Sequence, residues 1–571
     1  MVDRRFDRKR GDRAWRGTRL YRWAPDGLPQ RRIGGARQVN GSAGGEKGAG
    51  LTRGEAIHWL ATRTAGLGLA GGTALLVAES WPAHAAAAAV AHATHARRAA
   101  TVTASKGVQA FRSRPDLHPP VVQVDVPAAA NAAPGLIVTE SHLGPGQEGP
   151  LLFDAKGDLV WFLPLSPRGS LGLIATNVMV QIYKGEPVLT WFQGALVDGH
   201  GEGHYVMYDT RYREVAQVHA AGGYQGDLHE FVLTDRNTAL FTCYGTATAD
   251  LRPYGGTAHG AYNYGVVQEV DLATGKLVFQ WRSDDHVGLD ESYLRVGQTA
   301  GGKAAPWDYF HVNAASVDPT DGNLIVSARN TWTVYKVNRT TGVVMWRLNG
   351  KQSDFPITKE IRFAFQHDAR RWPGGLMTIF DDEAGPPAEA SQSRGLALSL
   401  DETSRTVRLV AQYHRSPGLL ADSQGSVQVM PEGHRFICWG AANGFTEFDG
   451  HGKIVFDARM APETESYRAF KQAWNALPVA PPDMAAVLHG TGVTIYASWN
   501  GATDVAHWSV LGGSSASDLR TVASAARSGF ETAIAVPARP AFVAVEALDA
   551  RGRVLGRSAA QTLTAAVARG A

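Results

Sequence analysis

Three histidines, His229, His311 and His367, each stand just ahead of a short apolar run that ends in a turn. The segments begin His229-Glu230-Phe231-Val232, His311-Val312-Asn313-Ala314 and His367-Asp368-Ala369-Arg370. Imidazole changes charge near neutral pH, so it serves as nucleophile, proton carrier or metal ligand. One such ring carries no message. The same ring at the same place in three repeated units predicts one shared site.

The elements around them define the repeat. Each histidine-led segment passes through a polar or glycine-bearing turn: Asp235-Arg236-Asn237, Asp321-Gly322-Asn323 or Pro373-Gly374-Gly375. An apolar strand follows in each case, such as Leu324-Ile325-Val326-Ser327. A second unit, a turn leading into an aromatic strand, occurs four times. Its copies are Asp154–Phe162 with Trp161, Ala273–Trp281, Thr341–Trp346 and Asp449–Phe456. Such hairpins read as outer strands of four-stranded sheets. A repeat of roughly 50 to 60 residues, with insertions, is the size of a propeller blade. Residues 133–475 are therefore predicted to form a six-bladed β-propeller, with a long sandwich as the competing all-β reading. The innermost strand of each blade lines the channel, so the three histidines are expected at one of its mouths. Gly425 holds the equivalent position ahead of Ser426-Val427-Gln428-Val429, and that unit brings no imidazole.

The flanks differ in composition. Residues 1–50 are rich in Arg, Gly and Asp without periodicity, the signature of disorder. Residues 51–85 hold the apolar run Ala65 to Ala78 followed by Ala83-His84-Ala85, and read as a signal peptide or an anchor. That run is shorter than the ~20 residues a spanning helix needs. Residues 86–132 form an Ala/Pro-rich arm. Alternating stretches between 483 and 565, including Val493–Trp499 and Phe542–Leu548, predict a fibronectin-III-like β-sandwich. The whole chain is thus expected to be all-β: a six-bladed β-propeller with a C-terminal fibronectin-III-like β-sandwich.

At 571 residues, 44% hydrophobic and 19% charged, the chain has ample core for several domains. A net charge of +3, with much of the basic excess in the first 53 residues, leaves nucleic-acid binding without electrostatic support. Only Cys243 and Cys438 are present, which excludes a disulfide scaffold and a cysteine-built zinc site. Whether the two pair is not readable from sequence. The leader-like segment predicts a secreted or cell-envelope protein.

Two longer patterns now carry a resemblance. Trp307-Asp308-Tyr309-Phe310-His311-Val312-Asn313, with Arg329 eighteen residues after His311, resembles the bacterial aryl-sulfate sulfotransferases. So do Phe365-Gln366-His367-Asp368-Ala369-Arg370 and Gly226-Asp227-Leu228-His229. The likeness covers about residues 133–475 and is closest to a divergent, actinobacterial-type branch rich in Ala, Arg and Gly. It implies a six-bladed propeller that moves a sulfuryl group between phenols without the nucleotide donor PAPS. It also implies that His367 becomes transiently sulfated. On the same footing, His311, Asn313 and Arg329 hold the sulfuryl oxygens, and His229 is a further contact or proton carrier. Small phenolic sulfate donors and phenolic acceptors would be the partners. No cofactor and no metal is implied.

The residue types suit that chemistry. Neutral imidazole is a nucleophile at pH 7. Sulfuryl transfer spreads negative charge over three oxygens, which fixed donors such as a guanidinium stabilise. Asp368 departs from the expectation, being an anion beside a site for an anion, and strand alternation should turn it away from His367. Asp381-Asp382-Glu383 is expected to add acidity near the far mouth. Arg370 and Arg371 are expected to cap a turn. His200 and His204 read as part of a Gly-rich exposed hairpin tip, and Trp161, Trp281 and Trp346 as blade core. On the residues alone two other readings stay open. One is a non-catalytic secreted propeller that binds a protein or glycan, with the C-terminal sandwich contacting the cell envelope; the other is a histidine-ligated metal site.

Overall fold

The computed structural model describes residues 107–165, 173–385 and 388–563. The expected disordered extension, the signal peptide or anchor and the first part of the Ala/Pro-rich arm lie outside them. The fold is all-β. Its larger part is a succession of six sheets, five of them built on a four-stranded antiparallel meander and the first closed by a returning strand, and it is propeller-like.

The second sheet runs over Ile174–Tyr183, Glu186–Val197, His200–Tyr208 and Glu214–Val218. The third comprises Phe231–Leu233, Thr238–Ala249, Gly260–Asp271 and Leu277–Arg282. The fourth spans residues 312–348, the fifth 367–413 and the sixth 426–460. The first sheet is assembled from both ends of this run. Leu136–Ser141, Gly149–Phe153 and Leu159–Phe162 give three strands, and Phe470–Gln472 returns to pair with Leu136–Ser141 as the fourth. An inner strand of one sheet touches the next sheet at each seam, including the returning strand against the sixth sheet. The arm contributes too: Val122–Val126 pairs with Ile454–Met460 at the outer edge of the sixth sheet.

One local device sets the outer hairpins. In the outer hairpin of each of the six sheets, an Asp or Asn opens the turn. These are Asp154, Asp209, Asp271, Asn338, Asp401 and Asp449, and each side chain accepts backbone N–H groups two to four residues on. Such an Asx turn supplies locally the hydrogen bonds a strand would otherwise offer, so the chain reverses there. A residue with positive φ closes each turn, and in four sheets it is Gly157, Gly275, Gly342 or Gly452. In the second and fifth sheets Tyr212 (φ 58°) and Arg405 (φ 54°) take that conformation instead. Trp161, Trp281 and Trp346, which follow three of these turns, are buried between sheets.

Inner strands are interrupted where they begin. Register shifts fall between Thr176 and Met179, Val312 and Ala314, and His367 and Arg370. Asn177 and Asp368 lie within two of these bulges with φ of 57° and 51°. A bulge re-aims a side chain that regular alternation would send to the other face.

The C-terminal part has two antiparallel sheets. Asp483–His489, Gly492–Ser498 and Glu531–Val536 form one. Asp518–Ala526, His507–Ser515, Phe542–Leu548 and Val554–Arg557 form the other, with Gln561–Thr562 on its Phe542–Leu548 strand. They share a core of residues such as Ile495, Trp508, Val543 and Val545. This part is fastened to the first sheet: the Asn500 amide brackets Phe162, accepting from its N–H at 3.0 Å and donating to its carbonyl at 2.9 Å. Phe111 of the arm packs on Phe530, ring centroids 4.4 Å apart. Cys243 and Cys438 are both buried free thiols.

Candidate functional site

The starts of the third, fourth and fifth inner strands bring His229, His311 and His367 together. The rings of His229 and His311 have centroids 4.8 Å apart, edge to face. Tyr467, from the segment that returns to close the first sheet, stands 5.5 Å from His229 and 6.3 Å from His367. Its hydroxyl donates to the Asn313 carbonyl at 3.0 Å. The second strand of a hairpin ends where the first began, so Arg329, just after Leu324–Ala328, arrives at the same end. Its backbone N–H donates to the His311 carbonyl.

All three imidazoles are held in one way. Each Nδ1 lies against a buried carboxylate: His229 on Asp227 at 2.8 Å, His311 on Asp308 at 2.5 Å, His367 on Asp382 at 2.8 Å. A carboxylate on Nδ1 fixes ring orientation and leaves Nε2 for other work. The anchors come from different places: two and three residues upstream for His229 and His311, and the end of the neighbouring strand for His367. Asp382 is thus at the histidine site and not at a far mouth, because Leu376–Asp381 runs antiparallel to His367–Arg371.

His367 is almost fully enclosed. Burial, and then the Arg329 charge, hold its ring well below the usual imidazole value, so it stays neutral. The backbone N–H of Gln424 donates to its Nε2 at 3.3 Å. That makes Nε2 the acceptor and puts the ring hydrogen on Nδ1, toward Asp382. Burial pushes the Asp382 carboxyl well above the ordinary range, with Arg329 pulling the other way. At Asp227 burial also opposes ionisation, but His229 and donors from Gly201 and Thr242 outweigh it and bring the carboxyl down to about 2. Burial lowers His311, against the Asp308 carboxylate that raises it.

Arg329 supplies the fixed positive charge. Its guanidinium sits over the Phe365 ring at 4.8 Å, donates to the Asp422 carbonyl at 3.0 Å and leaves Nε buried without a partner. Asn313 is buried and spends an amide hydrogen on the Gln366 carbonyl at 2.6 Å, bracing the peptide before His367. Gly425, with φ of 104°, could carry no side chain, since a Cβ there would lie 2.6 Å from Phe380.

Beneath the histidines lies a buried ionic web. Glu230 receives Arg370 at 3.0 Å and Arg468 at 3.0 Å, and Asp368 receives Arg370 at 2.6 Å. Arg370 is therefore part of this web and not a turn cap. Asp368, re-aimed by its bulge, faces guanidiniums, while the His367 ring answers to Asp382. Arg468 also donates to Asn177 and to the Asn313 carbonyl, so one side chain ties four sheets together.

His200 departs from the exposed-tip expectation. The Glu186–Tyr208 hairpin does turn at Asp198 and Gly199, but His200 is buried and stacks on Tyr244 with centroids 4.6 Å apart. Tyr244 is itself 6.1 Å from both His229 and His311. Among the described residues no group of three or more metal-ligating side chains is assembled as a metal site.

Comparison with known proteins follows this geometry. Residues 179–461 match the family described as arylsulfotransferase (ASST), a stretch that holds His229, His311, Asn313, Arg329 and His367. No curated protein matches the chain. Similar solved structures include a protein of unknown function from Bacteroides caccae, at 12% identity and a TM-score of 0.36, covering 60% of this chain and 100% of that one. Another is the periplasmic gluconolactonase PpgL of Pseudomonas aeruginosa, at 12% identity and a TM-score of 0.32, covering 75% and 96%. A third is the Cps50 (Swd1) β-propeller domain of Myceliophteria thermophila, at 9% and 0.27, covering 64% and 99%.

Proposed function

The chain belongs to the arylsulfotransferase family, and from that premise we propose that it transfers a sulfuryl group from a phenolic sulfate ester to a phenol through a sulfohistidine at His367. The observation that carries the reading is the neutral His367 ring, with its Nε2 lone pair free of a ring hydrogen, beside Arg329. Nε2 attacks sulfur, the N–S bond forms and the S–O bond to the aryl group breaks. The departing phenolate takes a proton from His229 or His311, whose Nε2 atoms are left available by their Nδ1 anchors. In the second half the acceptor phenol loses its proton to the same group, attacks sulfur, and the N–S bond breaks.

Arg329 and the Gln424 N–H stabilise charge on the sulfuryl oxygens. Asn313 braces the His367 peptide. The six sheets serve as the blades of a closed propeller, and the ionic web around Arg468 keeps their inner strands at fixed spacing. We read the C-terminal sheets as a fibronectin-III-like sandwich, a reading supported by antiparallel strands in two sheets over one core. An exported site of action is supported by the leader-like residues 51–85.

The test is turnover of 4-nitrophenyl sulfate with phenol as acceptor. Release of 4-nitrophenolate should require acceptor, give parallel double-reciprocal lines, and fall by at least about 10³-fold in His367→Ala. Full release in that variant would overturn the reading.

A further inference from the structure

A cavity of about 270 Å³ opens between the second and third sheets, with Tyr244 between it and the histidines. His200, Glu202, Tyr224, Gln225 and Tyr244 line it, with glycine between them. Tyr244 joins it to the reacting groups, since the ring stacks on His200 and lies 6.1 Å from both His229 and His311. The hairpin tip reaches the same place: a Cβ on Gly199 would stand 3.8 Å from His311 Cε1.

The polar groups of this cavity divide into spent and unspent. The Tyr244 hydroxyl donates to the Val312 carbonyl at 3.0 Å, and the Tyr224 hydroxyl is paired with that of Tyr264 at 3.2 Å. His200 is 9% exposed, and its Nδ1 has no hydrogen-bond partner. A buried polar atom left unmatched costs about 1–3 kcal/mol, so a ligand group that completes it is favoured. An apolar cavity of about 150 Å³ admits benzene, so the space here is large enough for one substituted ring.

We propose that this cavity seats the aromatic ring of a phenolic substrate bearing a second hydroxyl group, a dihydroxybenzene, with His200 Nδ1 reading that hydroxyl. The assignment rests on the sulfuryl-transfer reading for which hydroxyl reacts. The ring lies between Tyr224 and Tyr244, one hydroxyl directed at the His229 and His311 side and the other at His200. Glu202, exposed at the rim, is a second acceptor for hydroxyls reaching outward.

The test is binding of phenol, catechol and hydroquinone to the full chain by titration calorimetry, without a sulfate donor. At least one dihydroxybenzene should bind about tenfold more tightly than phenol, the worth of one net hydrogen bond. His200→Phe, which keeps a flat ring against Tyr244, should bring that ratio to one, and His200→Gln should restore part of it. Equal affinities in the wild type, or a ratio untouched by His200→Phe in a folded variant, would overturn the proposal and leave water as the occupant of Nδ1. Selective binding with no acceptor-dependent release of 4-nitrophenolate would sink the transfer chemistry while the cavity assignment stood.

Discussion

His367 and Asp382 are fifteen residues apart in sequence, yet Nδ1 and Oδ2 lie 2.8 Å apart in the closed interior. The pair arises because a histidine opens one strand and an aspartate directly follows the end of its antiparallel neighbour. Its consequence is tautomeric control: with Nδ1 turned to the carboxylate, the lone pair on Nε2 faces Gln424 and the Arg329 charge. Hydrolases that orient a histidine with a buried aspartate depend on the same relationship.

Asp382→Asn should therefore disarm the proposed nucleophile without unfolding the protein. An amide nitrogen facing Nδ1 favours the tautomer with hydrogen on Nε2, and we expect kcat to fall by about 10²- to 10⁴-fold. Steady-state kinetics with circular dichroism as a fold control checks this. Unchanged kcat would mean that ring orientation is set elsewhere.

Arg329 should not tolerate lysine. The guanidinium spans Phe365 and the Asp422 carbonyl and, on the proposed mechanism, the sulfuryl group as well, a reach an ammonium lacks. Arg329→Lys is expected to lower kcat/KM by about 10²- to 10³-fold. Retention of most activity would show that bulk positive charge suffices.

The ionic web makes the sheets around it sensitive to the loss of one partner. Glu230 is fully buried between Arg370 and Arg468. Desolvating these charges is costly, so the web is not a large net gain over apolar packing; removing one partner is the severe change. Glu230→Gln should cost about 3–5 kcal/mol in denaturant unfolding. A loss below about 1 kcal/mol would mean that water or Asp368 already compensates the arginines.

Glu140 makes stability depend on pH. Burial raises its carboxyl to about 7, although His142 and the N–H groups of Tyr467 and Val178 draw it down. In the unfolded chain the same group titrates near about 4.3. The native protein thus keeps a proton that the unfolded chain releases, and stability falls as pH rises from the unfolded value through about 7. The contribution is of order 3 kcal/mol between pH 5 and 8. Glu140→Gln cannot ionise, keeps an acceptor oxygen for one of the two N–H groups, and should remove that part of the slope. Parallel pH profiles for both proteins would refute the assignment.

Much of the repeat was legible because its turns use glycine. Four Asx turns announced themselves through Gly157, Gly275, Gly342 and Gly452. The two in the second and fifth sheets stayed hidden because Tyr212 and Arg405 hold the left-handed conformation that glycine signals elsewhere. The three histidines were legible as a set, since each precedes an inner strand. Their anchors were less so. Asp227 and Asp308 sit within three residues of their rings and share no spacing, and Asp382 follows the end of another strand. Asp368 was placed by strand alternation, which the bulge after His367 breaks. His200 was read as exposed because a glycine-rich tip suggests solvent, whereas here the glycines let the tip pack closely on the next sheet. Gly201 shows this: its N–H donates to Asp227, and a Cβ would meet the Leu228 backbone at 2.5 Å.

The most direct measurement is the position of the transferred group. The protein is incubated with 4-nitrophenyl sulfate without acceptor, quenched in base, digested, and its peptides are mapped by mass spectrometry. The account predicts one added SO₃ on His367, lost on brief exposure to phenol. An adduct on His229 or His311 instead, or release of 4-nitrophenolate with His367 never modified, would contradict it.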